Sequence, residues 1–210
     1  MSESQKSSPV ITDWDDRYKQ GPEALPWDSG EPSGELVAYI ESLKKAPAKA
    51  LEIGCGTGTN AIWLARRGCE VVATDLSETA INMAKKKLAD SGLTNVEFKV
   101  DDVIARAPVP AGSIDFVYDR GVYHVMDPGN RDTFINRVSD CLKDGGAWLC
   151  LAGSADERVY GRDQGPPQLK ASELIDLAEK KFEVQYLRTG AFLMPDGTPR
   201  KMWEVLYKKR

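Results

Sequence analysis

A chain of 210 residues, 41% hydrophobic and 29% charged, has an ordinary globular composition with length for one generous core. Its formal charge of -4, from 32 acids against 28 bases, argues against the basic excess of a nucleic-acid binder. No apolar run approaches the roughly 20 residues of a membrane-spanning helix, and the polar start "MSESQKSSPV" has no apolar leader core.

The expected setting is cytoplasmic, with neither nucleic acid nor membrane as partner, and the chain is expected to be a monomer. Cys55, Cys69, Cys141 and Cys150 form no C-x-x-C pair, and His124 is the sole histidine. No metal site is expected, and the cysteines read as buried free thiols in a reducing compartment.

Residues 1–10 read as a disordered tail. Next comes "WDDRYKQGPEALPWDSGEPSGEL", polar but carrying Trp14 and Trp27. These are either core anchors or a lid over a ligand. Strand-like and helix-like segments then alternate. "AKALEI" is a short apolar strand, "NAIWLARRG" a helix stopped by Gly68, and "CEVVATDL" a second strand. "SETAINMAKKKLADSG" is a helix capped by Ser77, with Ala80, Ile81, Ala84 and Leu88 at helical spacing.

"NVEFKV" and "SIDFVYD" are strands three and four, "NRDTFINRVSDCLKDGG" a helix and "AWLCLAG" strand five. "ASELIDLAEKK" is the last helix, before the strands "FEVQYLR" and "KMWEVLYKK". Strands alternating with helices of this length predict an α/β, doubly wound, mostly parallel sheet with helices on both faces. The last two strands have no helix between them, so they should form a hairpin in which one edge strand, the C-terminal one, runs antiparallel.

In such a sheet, ligands sit beyond the carboxyl ends of the strands. The loop after the first strand, "GCGTG", places Gly54, Gly56 and Gly58 there around Cys55. A triphosphate loop needs a Gly-Lys pair, which the chain lacks. The dinucleotide fingerprint G-x-G-x-x-G fails at Thr59, because the glycine falls one place early. S-adenosylmethionine, a nucleoside without phosphate, is the third candidate. Asp75, ending the second strand before Leu76, has the place of an acceptor for ribose hydroxyls in either nucleoside ligand. Asp102, followed by Val103, is placed to accept from an adenine amine.

"LEIGCGTGTNAIWLARRG", "VVATDLS", "VEFKVDD", "SIDFVYDRG" and "LKDGGAWLCL" together resemble the ordered motifs of class I S-adenosylmethionine-dependent methyltransferases. That family implies a seven-stranded sheet with its last strand reversed, in a Rossmann-like methyltransferase fold. W…PWD-x-G, D-R-G…P-G-N-R and G-P-P further resemble thiopurine S-methyltransferases and their halide and thiol methyltransferase relatives. The place after the fourth strand reads "DRGV", not the Asn/Asp-Pro-Pro-aromatic tetrad of amino-methylating nucleic-acid enzymes.

The resemblance divides residues 11–210, one expected domain, into a cover over the cofactor (11–45), a cofactor-binding core (46–153) and an acceptor loop with C-terminal strands (154–210). It implies that Trp14, Trp27, Asp28 and Gly30 belong to the cover. Cofactor contacts then fall to Trp14, Trp27, Gly54, Cys55, Gly56, Gly58, Asp75, Leu76, Asp102, Val103, Asp119 and Arg120.

Methyl transfer is an in-line displacement that chiefly needs alignment and exclusion of water. Arg120 is expected to hold an anionic acceptor or the cofactor carboxylate, with Asp119 orienting it or meeting the cofactor amine. Tyr123 and His124 are expected at the acceptor. His124 is either a pocket wall or a general base, and Arg162 is expected in the loop above. The acceptor is expected to be a small soft nucleophile: a thiol, a heavier chalcogen or a halide. The alternative is nitrogen or oxygen of a small metabolite.

Overall fold

The computed structural model describes residues 13–21, 25–157, 167–194 and 196–210. The tail at 1–10 and the expected loop residue Arg162 lie outside them. Seven strands form one sheet in the order β3-β2-β1-β4-β5-β7-β6. They are β1 (Lys49–Ile53), β2 (Glu70–Asp75), β3 (Val96–Val100), β4 (Ile114–Arg120), β5 (Leu142–Gly153), β6 (Phe182–Leu193) and β7 (Pro199–Lys209). The first five run parallel, and β7 is antiparallel to both β5 and β6. The reversed strand is thus the last in the chain, inserted between β5 and β6, so β6 forms the rim.

Side chains alternate between two cores. Leu51, Val117 and Trp148 enter one, together with Phe134 and Val138 of α6 (Arg131–Cys141). Ala50, Phe116 and Leu149 enter the other. That second core is closed by α2 (Gly34–Ser42), α3 (Thr59–Arg66) and α4 (Glu78–Ser91). The β1 residue Ile53 pairs with both Thr74 and Asp119, so the ends of β1, β2 and β4 are level. Their following loops therefore converge on one rim, which is what creates a site.

Two local readings are corrected. The helix expected to reach Gly146 stops at Cys141. Leu142 turns extended, is fully buried and pairs with Ile114, so β5 begins early and passes an irregularity before Ala147 meets Phe116. The last helix is broken into α7 (Ala171–Ile175) and a 3-10 turn (Ala178–Lys180).

The N-terminal stretch also carries α1 (Trp14–Lys19), whose N-cap Asp13 accepts from the Asp16 N–H. Ser33 caps α2 in the same way. Among the described residues no helix is long and apolar enough to cross a membrane.

Candidate active site

The glycine loop is the floor. Gly54 has φ +69°, and a Cβ there would lie 2.2 Å from Val122 Cγ2. Gly58, with φ +79°, caps α3; its Cβ would lie 2.5 Å from the Phe98 ring and 2.9 Å from Ala84 Cβ. Both positions demand glycine on conformation and on space.

Asp75 braces this loop. Its Oδ2 accepts from the Gly56 N–H and its Oδ1 from the Ser77 N–H, each at 2.9 Å. Burial raises its pKa. Beside it, Leu76 is 56% exposed, an apolar side chain held in the open. Asp101 N–H donates to the Asp75 carbonyl, so the turns after β2 and β3 share an edge. Asp102 is exposed and its carboxylate accepts from Ile104 N–H, whereas Val103 is buried in the core.

A buried acid and a half-buried base lie on the same face of neighbouring strands. Glu52 on β1 pairs in register with Tyr118, two residues before Arg120 on β4. Glu52 Oε1 accepts from Asn60 Nδ2 at 3.1 Å, and Oε2 is sealed without a partner. Burial pushes its carboxyl up to about 8. Asn60 Oδ1 accepts from Ser33 N–H, and the Ser33 hydroxyl lies 2.7 Å from the Tyr118 hydroxyl. Arg120 donates through Nη1 to the Trp27 carbonyl at 2.8 Å, and its Nε is buried without a partner. Its guanidinium lies 4.8 Å from the centre of the Phe192 ring.

The cover is fastened at both ends. Trp14 and Tyr18 pack edge-on to Trp27, with centroids 5.9 and 6.2 Å away. Asp15 accepts from Ser77 Oγ and Thr79 N–H at the start of α4, and these bonds hold its pKa below the usual carboxylate range. Asp28 accepts from the Thr57 hydroxyl at 2.5 Å. Lys87 of α4 donates to the hydroxyls of Thr57 and Thr59 at 2.7 and 2.8 Å. One chain of hydrogen bonds therefore joins cover, glycine loop and helix.

Two expected site residues sit elsewhere, and a third is not free for the role of base. Asp119 points into the opposite core from Arg120, because adjacent strand residues face opposite ways. Its carboxylate accepts from Trp148 Nε1 and Tyr123 N–H, so it neither orients Arg120 nor faces the loop. Burial raises its pKa to about 6, partly offset by those two donors. Tyr123, on the short helix α5 (Val122–Val125), is fully buried and donates to the Glu173 carbonyl. It is a core residue, not a pocket wall. His124 is buried, with Nδ1 accepting from Gly153 N–H at 2.8 Å. An acceptor so engaged is not a free base.

Sequence reasoning missed Glu52, Ser33, Asn60, Lys87 and Phe192. Glu52 had a signal, an acid inside the apolar run "ALEI". Phe192, brought beside Arg120 by the β6–β7 hairpin, had none.

A family model described as a methyltransferase domain matches residues 50–146. The chain is 31% identical over 170 residues to the 2-heptyl-1-hydroxyquinolin-4(1H)-one methyltransferase of Mycobacteroides abscessus, covering 79% of this chain and 73% of that one. It is 31% identical over 151 residues to a probable thiol methyltransferase 2 of Arabidopsis thaliana, 70% of this chain and 64% of that one. The fold matches the Burkholderia thailandensis 1,6-didemethyltoxoflavin-N1-methyltransferase, solved with its substrate and S-adenosylhomocysteine. The TM-score is 0.72 at 17% identity, over 92% of this chain and 83% of that one. The chain belongs to the class I S-adenosylmethionine-dependent methyltransferases.

The residues present fit that cofactor. The orphaned Glu52 Oε2 suits the ammonium of an amino-acid head, and exposed Leu76 and Asp102 suit an adenine face and its amine.

Proposed function

We propose that the enzyme methylates a small soft nucleophile held as an anion, a thiolate before a heavier chalcogenide or a halide, with the chain acting as a cytoplasmic monomer. S-adenosylmethionine, when bound, supplies an electrophilic methyl group on a sulfonium. The observation that carries the reading is Arg120. Among the described residues no carboxylate forms an ion pair with it, its Nε is unpartnered, and Phe192 and the Trp27 carbonyl hold it in place.

A fixed guanidinium favours the thiolate of an acceptor whose thiol has an ordinary pKa of about 8.5. His124 is not free to act as a base, so the acceptor enters already ionised. Trp14 and Trp27 exclude water. Glu52 and Asn60 hold the amino-acid head, Leu76 and Asp102 the adenine, and the Asp75-braced loop the ribose.

A second reading is favoured by one finding. The Mycobacteroides abscessus relative is named for a 1-hydroxyquinolone, so an oxygen nucleophile on a heterocycle is the alternative. The test is release of S-adenosylhomocysteine from S-adenosylmethionine across thiols, selenols, halides, phenols and amines. Turnover on thiols and selenols is expected. Turnover confined to amines or hydroxyls would replace the reading.

A further inference from the structure

His124 is the sole histidine of the chain, and the reaction proposed above does not consume it. Its ring sits on α5 just after Gly121, 5% exposed. The Gly153 N–H donates to Nδ1 at 2.8 Å. A ring nitrogen that accepts cannot carry the proton, so in the neutral ring the proton is on Nε2. Burial, with Arg120 and Arg131 nearby, pushes the pKa down to about 4, and the ring is neutral at physiological pH.

Nε2–H therefore has a fixed role as donor. It has no partner among the described residues and is not among their sealed polar atoms, so it keeps a sliver of accessible surface in a ring otherwise buried. The ring's neighbour, 6.3 Å away between centroids, is Phe192, which carries Arg120 on its face. The imidazole and the guanidinium thus share Phe192 as a neighbour.

We infer that His124 is a specificity residue: its Nε2–H donates to a lone pair beside the atom being methylated. It therefore selects acceptors whose nucleophile is flanked by a ring nitrogen or a carbonyl-type oxygen. This rests on the reading above that the acceptor lies beside Arg120 and Phe192. The arrangement disfavours simple alkyl thiols and halides, which leave the donor unmatched. Replacing Gly153 N–H as donor to Nδ1 would free the other tautomer, so the backbone of β5 enforces the preference.

With one histidine, an untagged 15N-labelled chain gives a single imidazole signal set. The Nε2–H tautomer is expected, with no titration from pH 8 to pH 5.5. Adding 2-mercaptopyridine with S-adenosylhomocysteine should shift Nε2 and its proton, whereas the 4-isomer, with its ring nitrogen remote, should not. An Nδ1–H tautomer, a midpoint near 6.5, or equal shifts with both isomers would overturn the inference.

In turnover, His124→Phe should lower kcat/KM for the 2-isomer about ten- to hundredfold and leave the 4-isomer within about threefold. His124→Gln, which restores a donor, should recover most of the loss. Equal losses on both isomers would also overturn it. If the wild type methylates neither isomer and turns over only amines or hydroxyls, the soft-nucleophile reading fails separately. The imidazole shift with a 1-hydroxyquinolone as probe then decides the role of His124: a shift at Nε2 supports it and none refutes it.

Discussion

Glu52 offers the sharpest energetic test of the site. Its carboxyl is fully buried, with one oxygen on Asn60 and the other unpartnered. Burial lifts its pKa from 4.5 to about 8. A group whose folded pKa is raised binds its proton more tightly when folded. Its support for the fold is complete below pH 4.5 and is lost as pH rises towards about 8.

Each pH unit in that window costs about 1.4 kcal/mol, so between pH 5 and pH 7.5 the wild type should lose about 3 kcal/mol from this group alone. Glu52→Gln keeps the shape and the acceptor for Asn60 but cannot ionise. The variant should therefore gain about 3 kcal/mol over wild type between the two pH values. Urea unfolding of both proteins at pH 5 and pH 7.5 reads this as a relative midpoint shift of about 1–2 M. A midpoint difference that is the same at both pH values would show that Glu52 is ionised in the free protein, and the reasoning fails.

Gly58→Ala should cost about 2–4 kcal/mol, because it combines a strained positive φ with contact against Phe98 and Ala84. A wild-type melting temperature would refute the packing argument. Lys87→Met removes both threonine contacts of the cover clasp. With Lys87 partly exposed, about 1 kcal/mol is at stake, and calorimetry should find S-adenosylhomocysteine bound about fivefold more weakly at unchanged kcat. Asp119→Asn leaves one of its two N–H donors facing an amide. It should cost about 1–3 kcal/mol in denaturant unfolding while kcat/KM per folded enzyme stays near wild type. A selective loss of kcat would return Asp119 to the catalytic set.

The sheet was legible because β1, β2, β4 and β5 carry the apolar runs of buried strands, each followed by a turn residue. The glycine loop and Asp75 were legible because their chemistry is local: a tight turn next to strand ends. Leu142 was misread because its helical spacing with Val138 competes with a strand pairing to Ile114 that only the assembled sheet reveals.

Asp119 illustrates the same limit. Strand alternation separates it from Arg120, but its true partner, Trp148, lies on another strand. Tyr123 and His124 are neighbours in sequence, yet one enters the core and the other packs beside Phe192, since a single helical turn splits them. Phe192 reaches the site only through the β6–β7 hairpin, a contact that no local pattern announces.

The most direct test of the proposed chemistry is the position of methylation on an ambident acceptor. 1-Hydroxypyridine-2-thione offers sulfur and oxygen on one flat anion, and it carries the flanking lone pair that His124 is inferred to read. Incubated with S-adenosylmethionine and the enzyme, it should yield the S-methyl product, identified by the methyl carbon shift in NMR. A product methylated on oxygen would contradict the soft-nucleophile account and establish the hydroxyl reading in its place.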